Sequence, residues 1–140
     1  MALHEARHGL GKSVFRVWTD WAEVEAVMTL AADAPARLTG VTVRNRGTAP
    51  LKVEAIAYAE LVLGNNRGRT ASMIRAAHDP QLQAVVARNP FATEISGRVT
   101  ALAADRPLIA TCVSRQAFLG RNGRMAHPDA LAHWPEVGEA

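Results

Sequence analysis

Apolar and polar residues alternate along most of this chain in short runs broken by turn residues, and the period is closer to two than to the helical 3.6. Residues 23–31 show it best: Val24, Ala26, Met28 and Leu30 fall on one side, while Glu23, Glu25 and Thr29 fall on the other with Val27. That pattern predicts a half-buried strand. Residues 13–19, with Val14-Phe15-Arg16-Val17-Trp18, and residues 37–44, with Leu38 and the β-branched Thr39, Val41, Thr42 and Val43, predict strands on either side of it. Shorter strands are expected at 72–78, 82–88, 98–104 and 108–114, with turns at His78-Asp79-Pro80-Gln81 and Asp105-Arg106-Pro107 between pairs. Residues 1–12 look like an irregular, glycine-punctuated lead-in, and 64–70 like a loop. Pro128 to His133 looks like a helical turn in a polar tail.

The segment 51–63 carries two periodicities. As a strand it lines Leu51, Val53, Ala55, Ala57, Ala59, Leu61 and Leu63 on one face; as a helix it gathers Leu51, Ala55, Tyr58, Ala59 and Val62 into a stripe. Its Ala and Glu content favours helix. The unbroken alternation and the turn Asn45-Arg46-Gly47-Thr48-Ala49-Pro50 before it favour strand, which is the reading adopted. Strands at such intervals predict an all-β fold, an antiparallel β-sandwich with a short irregular or helical C-terminal tail.

Composition narrows this little. With 140 residues, 49% hydrophobic, the chain suits one domain with a core. No apolar run approaches the roughly 20 residues of a membrane helix, and the N-terminus lacks the pattern of a signal peptide. The single Cys112 allows no internal disulfide and fits a reducing compartment, so a cytoplasmic location is expected. The net charge of +3 comes almost entirely from Arg, since Lys12 and Lys52 are the only lysines. Arg suits carboxylates, phosphates and sugar hydroxyls. The acidic residues are dispersed, so nothing marks a nucleic-acid partner.

Several catalytic patterns are decoys. His4-Glu5-Ala6-Arg7-His8 has zinc-protease spacing, but that chemistry needs a helix, and Gly9 and Gly11 end any helix at once. Residues 6–13 approximate a phosphate loop with Ala in place of its first Gly, yet a β-leaning run follows where a helix is required. Gly120-Arg121-Asn122-Gly123 matches the nucleic-acid-clamping loop of KH domains but lacks the flanking helices. Cys112 is expected to be a buried, inert thiol, and Trp18, Trp21 and Trp134 to be core or cover. His127 and His133 are poorly spaced for a common ligand. No metal or cofactor is expected.

Two loops rich in Arg, Asn and Gly bracket the later apolar run: Arg88-Asn89-Pro90-Phe91 and Phe118-Leu119-Gly120-Arg121-Asn122-Gly123, with Gly97-Arg98-Val99 between. Their order and spacing, with Ala6-Arg7-His8-Gly9-Leu10-Gly11, Arg44-Asn45-Arg46 and Tyr58 to Gly64, resemble the β-supersandwich domain of inverting glycoside phosphorylases (the glycoside hydrolase family 94 type), and most nearly the phosphorylase-like region of cyclic β-1,2-glucan synthases. The resemblance spans about residues 4–131. It departs at 73–78, where the family's strand is more acidic. In that family the general-acid Asp sits on an (α/α)₆ barrel, and phosphate attacks the glycosidic bond. No Asp here matches that acid, and the chain resembles only the later half of the family's sandwich. The expectation is therefore one partial supersandwich domain over residues 1–140 without the barrel, accessory and not catalytic by itself.

The resemblance implies a carbohydrate-associated role, with a β-glucan or oligosaccharide as ligand and a catalytic barrel as partner. It leaves open an inner-membrane-associated parent. Arg88, Asn89, Arg121 and Asn122 are the candidate sugar or phosphate contacts, supported by Tyr58 and the tryptophans. The same loops would equally serve as braces, with Asn and Gly holding tight turns. The alternative function is a protein-interaction or oligomerisation module that exploits unpaired strand edges.

Overall fold

The computed structural model describes residues 2–95, 97–121 and 123–132. Trp134, His133 and the candidate contact Asn122 lie outside the described residues. The chain divides into two compact units, Met1–Ala57 and Tyr58–Ala140.

The first unit holds a four-stranded antiparallel meander, β1 (Leu3–Gly9), β2 (Lys12–Trp18), β3 (Ala22–Leu30) and β4 (Arg37–Asn45), in sequence order. Residues 1–12, expected to be irregular, instead supply β1 and its turn. The segment shows no apolar alternation, but its backbone pairs with β2 from Leu3↔Trp18 to Gly9↔Lys12. Leu10 and Gly11 make the turn, with Gly11 at φ +67, where a Cβ would be strained. The strand also disposes of the zinc and phosphate-loop patterns. His4 and His8, four residues apart on a strand, lie roughly 13 Å apart. His8 Nδ1 instead meets Ser13 Oγ at 3.0 Å, and its ring stands edge-on to Phe15.

The register gives this sheet two unlike faces. Phe15, Ala26 and Val41 are aligned across one face, as are Val17, Val24 and Val43. The other face aligns Glu5, Arg16, Glu25 and Thr42. There Arg16 Nε donates to Glu25 at 2.6 Å and its Nη1 lies 3.6 Å from Glu5, while Arg44 reaches Glu23 at 3.5 Å. Strand β4 is exposed along its whole length.

The second unit holds a three-stranded antiparallel sheet, β5 (Arg75–Asp79), β6 (Ala84–Arg88) and β7 (Thr100–Ala103). Ala84 and Ala87 of β6 are buried. Two short helices, α1 (Arg67–Thr70) and α2 (Arg115–Leu119), and 3-10 turns at Ala71–Met73, Thr93–Ile95 and Asp129–Leu131 complete it. Residues 51–63 and 108–114, expected as strands, form no ladder among the described residues, and 51–57 are exposed throughout. Alternation marks a difference between two sides, but a strand also needs a partner at hydrogen-bonding distance. Helix α1 and the turn after it replace the loop expected at 64–70 and the start of the strand expected at 72–78. Cys112 is only half-buried, and its Sγ lies 3.3 Å from the Ser114 carbonyl oxygen.

A small core forms where Phe118, Leu119 and Ala130 are buried with Tyr58 and Cys112 against them. The Tyr58 and Phe118 rings stack with centroids 5.2 Å apart. No helix among the described residues is long and apolar enough to cross a membrane.

Candidate functional site

The segment 88–94 builds one side of a concavity in the second unit, and it does so through Asn89. This residue follows β6 and is 3% exposed. Its Oδ1 accepts from the Phe91 backbone N–H at 3.0 Å, a turn closed by an Asn side chain across Pro90. Its Nδ2 donates to the Leu63 carbonyl at 2.9 Å, 26 residues away in sequence. Asn89 therefore ties the 88–94 loop to the 62–73 segment.

That segment is laced in turn by Thr70, itself 7% exposed. Its hydroxyl bonds the carbonyls of Val62 at 2.5 Å and Asn66 at 2.9 Å. Asn66 caps α1, its Oδ1 accepting from the Arg69 N–H. Gly64 sits against Thr70 with φ +156, where a Cβ would lie 2.7 Å from Thr70 Cγ2.

Between the two segments lies a cavity of about 200 Å³. Thr70 and Asn89 contribute to its lining, with Asn65, Arg69, Met73, Phe91, Thr93 and Glu94 around them. Phe91 is 63% exposed. The Arg75 guanidinium stands 5.8 Å from its ring centroid and is held by the Ser72 and Ile74 carbonyls at 2.9 and 3.2 Å. Phe91 is thus fixed at its backbone by Asn89 and at its ring by Arg75.

The other predicted contacts lie apart from this cavity's lining. Arg88 ends β6, paired in register with Arg75, and its side chain is exposed. Arg121 is exposed beyond the end of α2. Its loop depends on glycine. Gly120 ends α2 at φ +74, and a Cβ there would collide with the Asp129 carboxylate. A Cβ on Gly123 would strike the Leu119 carbonyl oxygen. Trp18 is half-buried on β2, and Trp21 is 56% exposed in the turn before β3.

Tyr58 belongs to a separate cluster. Its hydroxyl donates to Glu60 Oε1 at 2.7 Å, the same oxygen that accepts from Arg115 Nε at 2.7 Å, and Arg67 pairs with the other oxygen. The Arg115 and Tyr58 hydrogen bonds hold the Glu60 carboxyl below the usual carboxylate range. Burial, then the bond to Glu60, pushes the Tyr58 phenol upward. Among the described residues no group of three or more His, Cys, Asp or Glu side chains is placed to hold a metal.

Sequence reasoning marked Asn89 but missed Asn65, Arg69, Thr93 and Glu94. No sequence pattern marks them, since Thr93 and Glu94 follow Phe91 and Ala92 without a motif and Asn65 and Arg69 lie in a separate loop. Which of them meet across the cavity depends on the loops' path.

Comparison with known proteins places these loops in a known domain. A cyclic β-(1,2)-glucan synthase, NdvB, from Rhizobium meliloti (strain 1021) is 40% identical over 136 residues, which is 97% of this chain and 5% of that protein. The chain thus spans only a small part of the curated relative it matches. The family model described as "Glycosyl hydrolase 94, supersandwich domain" matches residues 2–139. With its antiparallel sheets and laced glycine loops, the chain belongs to the glycosyl hydrolase 94 supersandwich family.

Proposed function

We propose that this chain is a carbohydrate-associated module of a protein that makes or handles β-1,2-linked glucan, accessory to catalysis rather than its seat. The observation that carries this reading is the 40% identity to a glucan synthase along 97% of the chain. On this reading its partner is the catalytic barrel expected of such proteins, its ligand a glucan, and its location cytoplasmic. Arg88 and Arg121 supply exposed guanidinium groups with no partner among the described residues, suited to hydroxyl or phosphate oxygens. Asn89 contributes by holding Phe91. Calorimetric titration with linear β-1,2-linked glucose oligosaccharides tests the reading, with weak saturable binding as the expected outcome. Absence of heat with both these oligosaccharides and phosphate counts against it.

Strand β4 favours a second reading. Leu38, Val41 and Val43 are 60%, 53% and 36% exposed on it, and an exposed apolar strand at a sheet edge invites association. An interaction module predicts concentration-dependent sedimentation; a monomer at all concentrations sets that reading aside.

A further inference from the structure

We infer that the cavity between residues 62–73 and 88–94 is a subsite for a short stretch of neutral saccharide, with Phe91 as stacking platform and Asn65, Arg69, Thr93 and Glu94 as hydrogen-bonding partners. The inference rests on the carbohydrate reading above and assigns it to residues other than the exposed arginines.

Three observations carry it. The first is a rigid aromatic face. Phe91 is exposed but not loose, because Asn89 holds its backbone and Arg75 its ring. A sugar ring presents a face of C–H groups that packs on such a surface, and a pre-fixed platform loses little entropy on binding.

The second is a set of uncommitted polar groups. The side chains of Asn65, Arg69, Thr93 and Glu94 line the cavity and have no partner among the described residues. By contrast the deeper Thr70 and Asn89 bond to backbone. The inner polar groups therefore build the cavity, and the outer ones are left to face a ligand. Together they offer donors from Arg, Asn and Thr and acceptors from Glu, Asn and Thr, which suits hydroxyls that both give and take hydrogen bonds.

The third is charge. Arg69 and Glu94 line the same cavity with opposite signs. A phosphate dianion attracted by Arg69 would meet Glu94, and a cation would meet Arg69. A neutral polyol meets no such opposition. The volume of about 200 Å³ lies below the roughly 300–1,000 Å³ of drug-sized pockets. It suits a short piece of a chain that continues into solvent.

The full chain would be titrated with linear β-1,2-linked glucose oligosaccharides and, separately, with inorganic phosphate. Phe91→Ala and Arg69→Gln are each expected to weaken oligosaccharide binding about tenfold, the loss of one stacking or charge-assisted contact. Glu94→Gln is expected to weaken it less. Arg69 and Glu94 are exposed, so these two variants keep the fold and carry the test even if Phe91→Ala unfolds, which circular dichroism reports. Binding that survives all three changes but is lost in Arg88→Ala or Arg121→Ala overturns this site and leaves the carbohydrate reading standing. Phosphate binding that Arg69→Gln abolishes, without oligosaccharide binding, overturns the neutral-ligand assignment. No binding of either probe by the folded wild type overturns both the site and the reading beneath it.

Discussion

The two units of this chain hold themselves together in different ways. In the first, hydrogen-bonded ladders between neighbouring strands do the work. Each strand pairs with the next in sequence, and Ala22 is the one buried hydrophobic residue described there. Its charged side chains pair on the surface, where ion pairs contribute little. In the second, the ladders are short and individual side chains fasten distant backbone. Asn89 reaches the Leu63 carbonyl and Thr70 the Val62 carbonyl. A ladder spreads its stabilisation over many equivalent bonds, so no single side chain is decisive. A laced loop concentrates it in a few buried polar groups, each costly to leave unpaired. The candidate site belongs to the laced unit.

The sharpest way to break this contrast is at the glycines of the 118–123 loop. Gly120→Val puts a branched side chain at φ +74 and into the Asp129 carboxylate, and should cost about 3 kcal/mol. Gly40→Val on β4 meets nothing within 4 Å and should be neutral or better. Urea denaturation of both compares them directly, and similar losses would remove the distinction. Next comes Asn89→Ala, which strands the Leu63 carbonyl and the Phe91 N–H and should cost about 2 kcal/mol. A loss under half a kilocalorie would show that water replaces the Asn89 amide and that it is no brace.

A smaller effect is expected at Glu60. Its folded pKa lies below the unfolded one. Its contribution is therefore present above the unfolded value of about 4.3 and is lost as pH falls through the folded value. Tyr58 has the opposite sense: raised in the fold, its contribution is present below about pH 10 and lost as pH rises through the folded value. Tyr58 is the chain's only tyrosine, so phenolate absorbance titrates it alone. The midpoint should lie above 10 and move down in Glu60→Gln; an unmoved midpoint would detach Glu60 from the phenol. The smallest effect is expected for Arg16→Gln on the charged face of the first sheet. Melting should barely change at low salt and not at all at high salt. A large drop would make that ladder of charges a fastening like those of the second unit.

The difference between the units also explains what could be read in advance. The strands at 13–19, 23–31 and 37–44 became β2, β3 and β4 within a residue at each end, because period-two alternation marks 13–19 and 23–31, and β-branched residues mark 37–44. Strand β1 escaped notice because His4, Glu5, Arg7 and His8 carry no apolar signal, and its partner's backbone dictates its conformation. The segment 51–63 failed in the reverse sense, with a pattern and no ladder. The Arg88–Phe91 motif was visible as a motif, but Asn89 and Phe91 divide the labour: one is buried as a tie and the other is exposed as a wall.

By itself the sequence determined the antiparallel all-β character and the family, since each follows from local period or from the order of motifs along the chain. Tertiary structure alone decided which polar side chains are consumed by the fold and which remain available. Hydrogen-bonding capacity is a property of residue type, but whether it is spent depends on the backbone group that arrives beside it, here for Asn89 from 26 residues away.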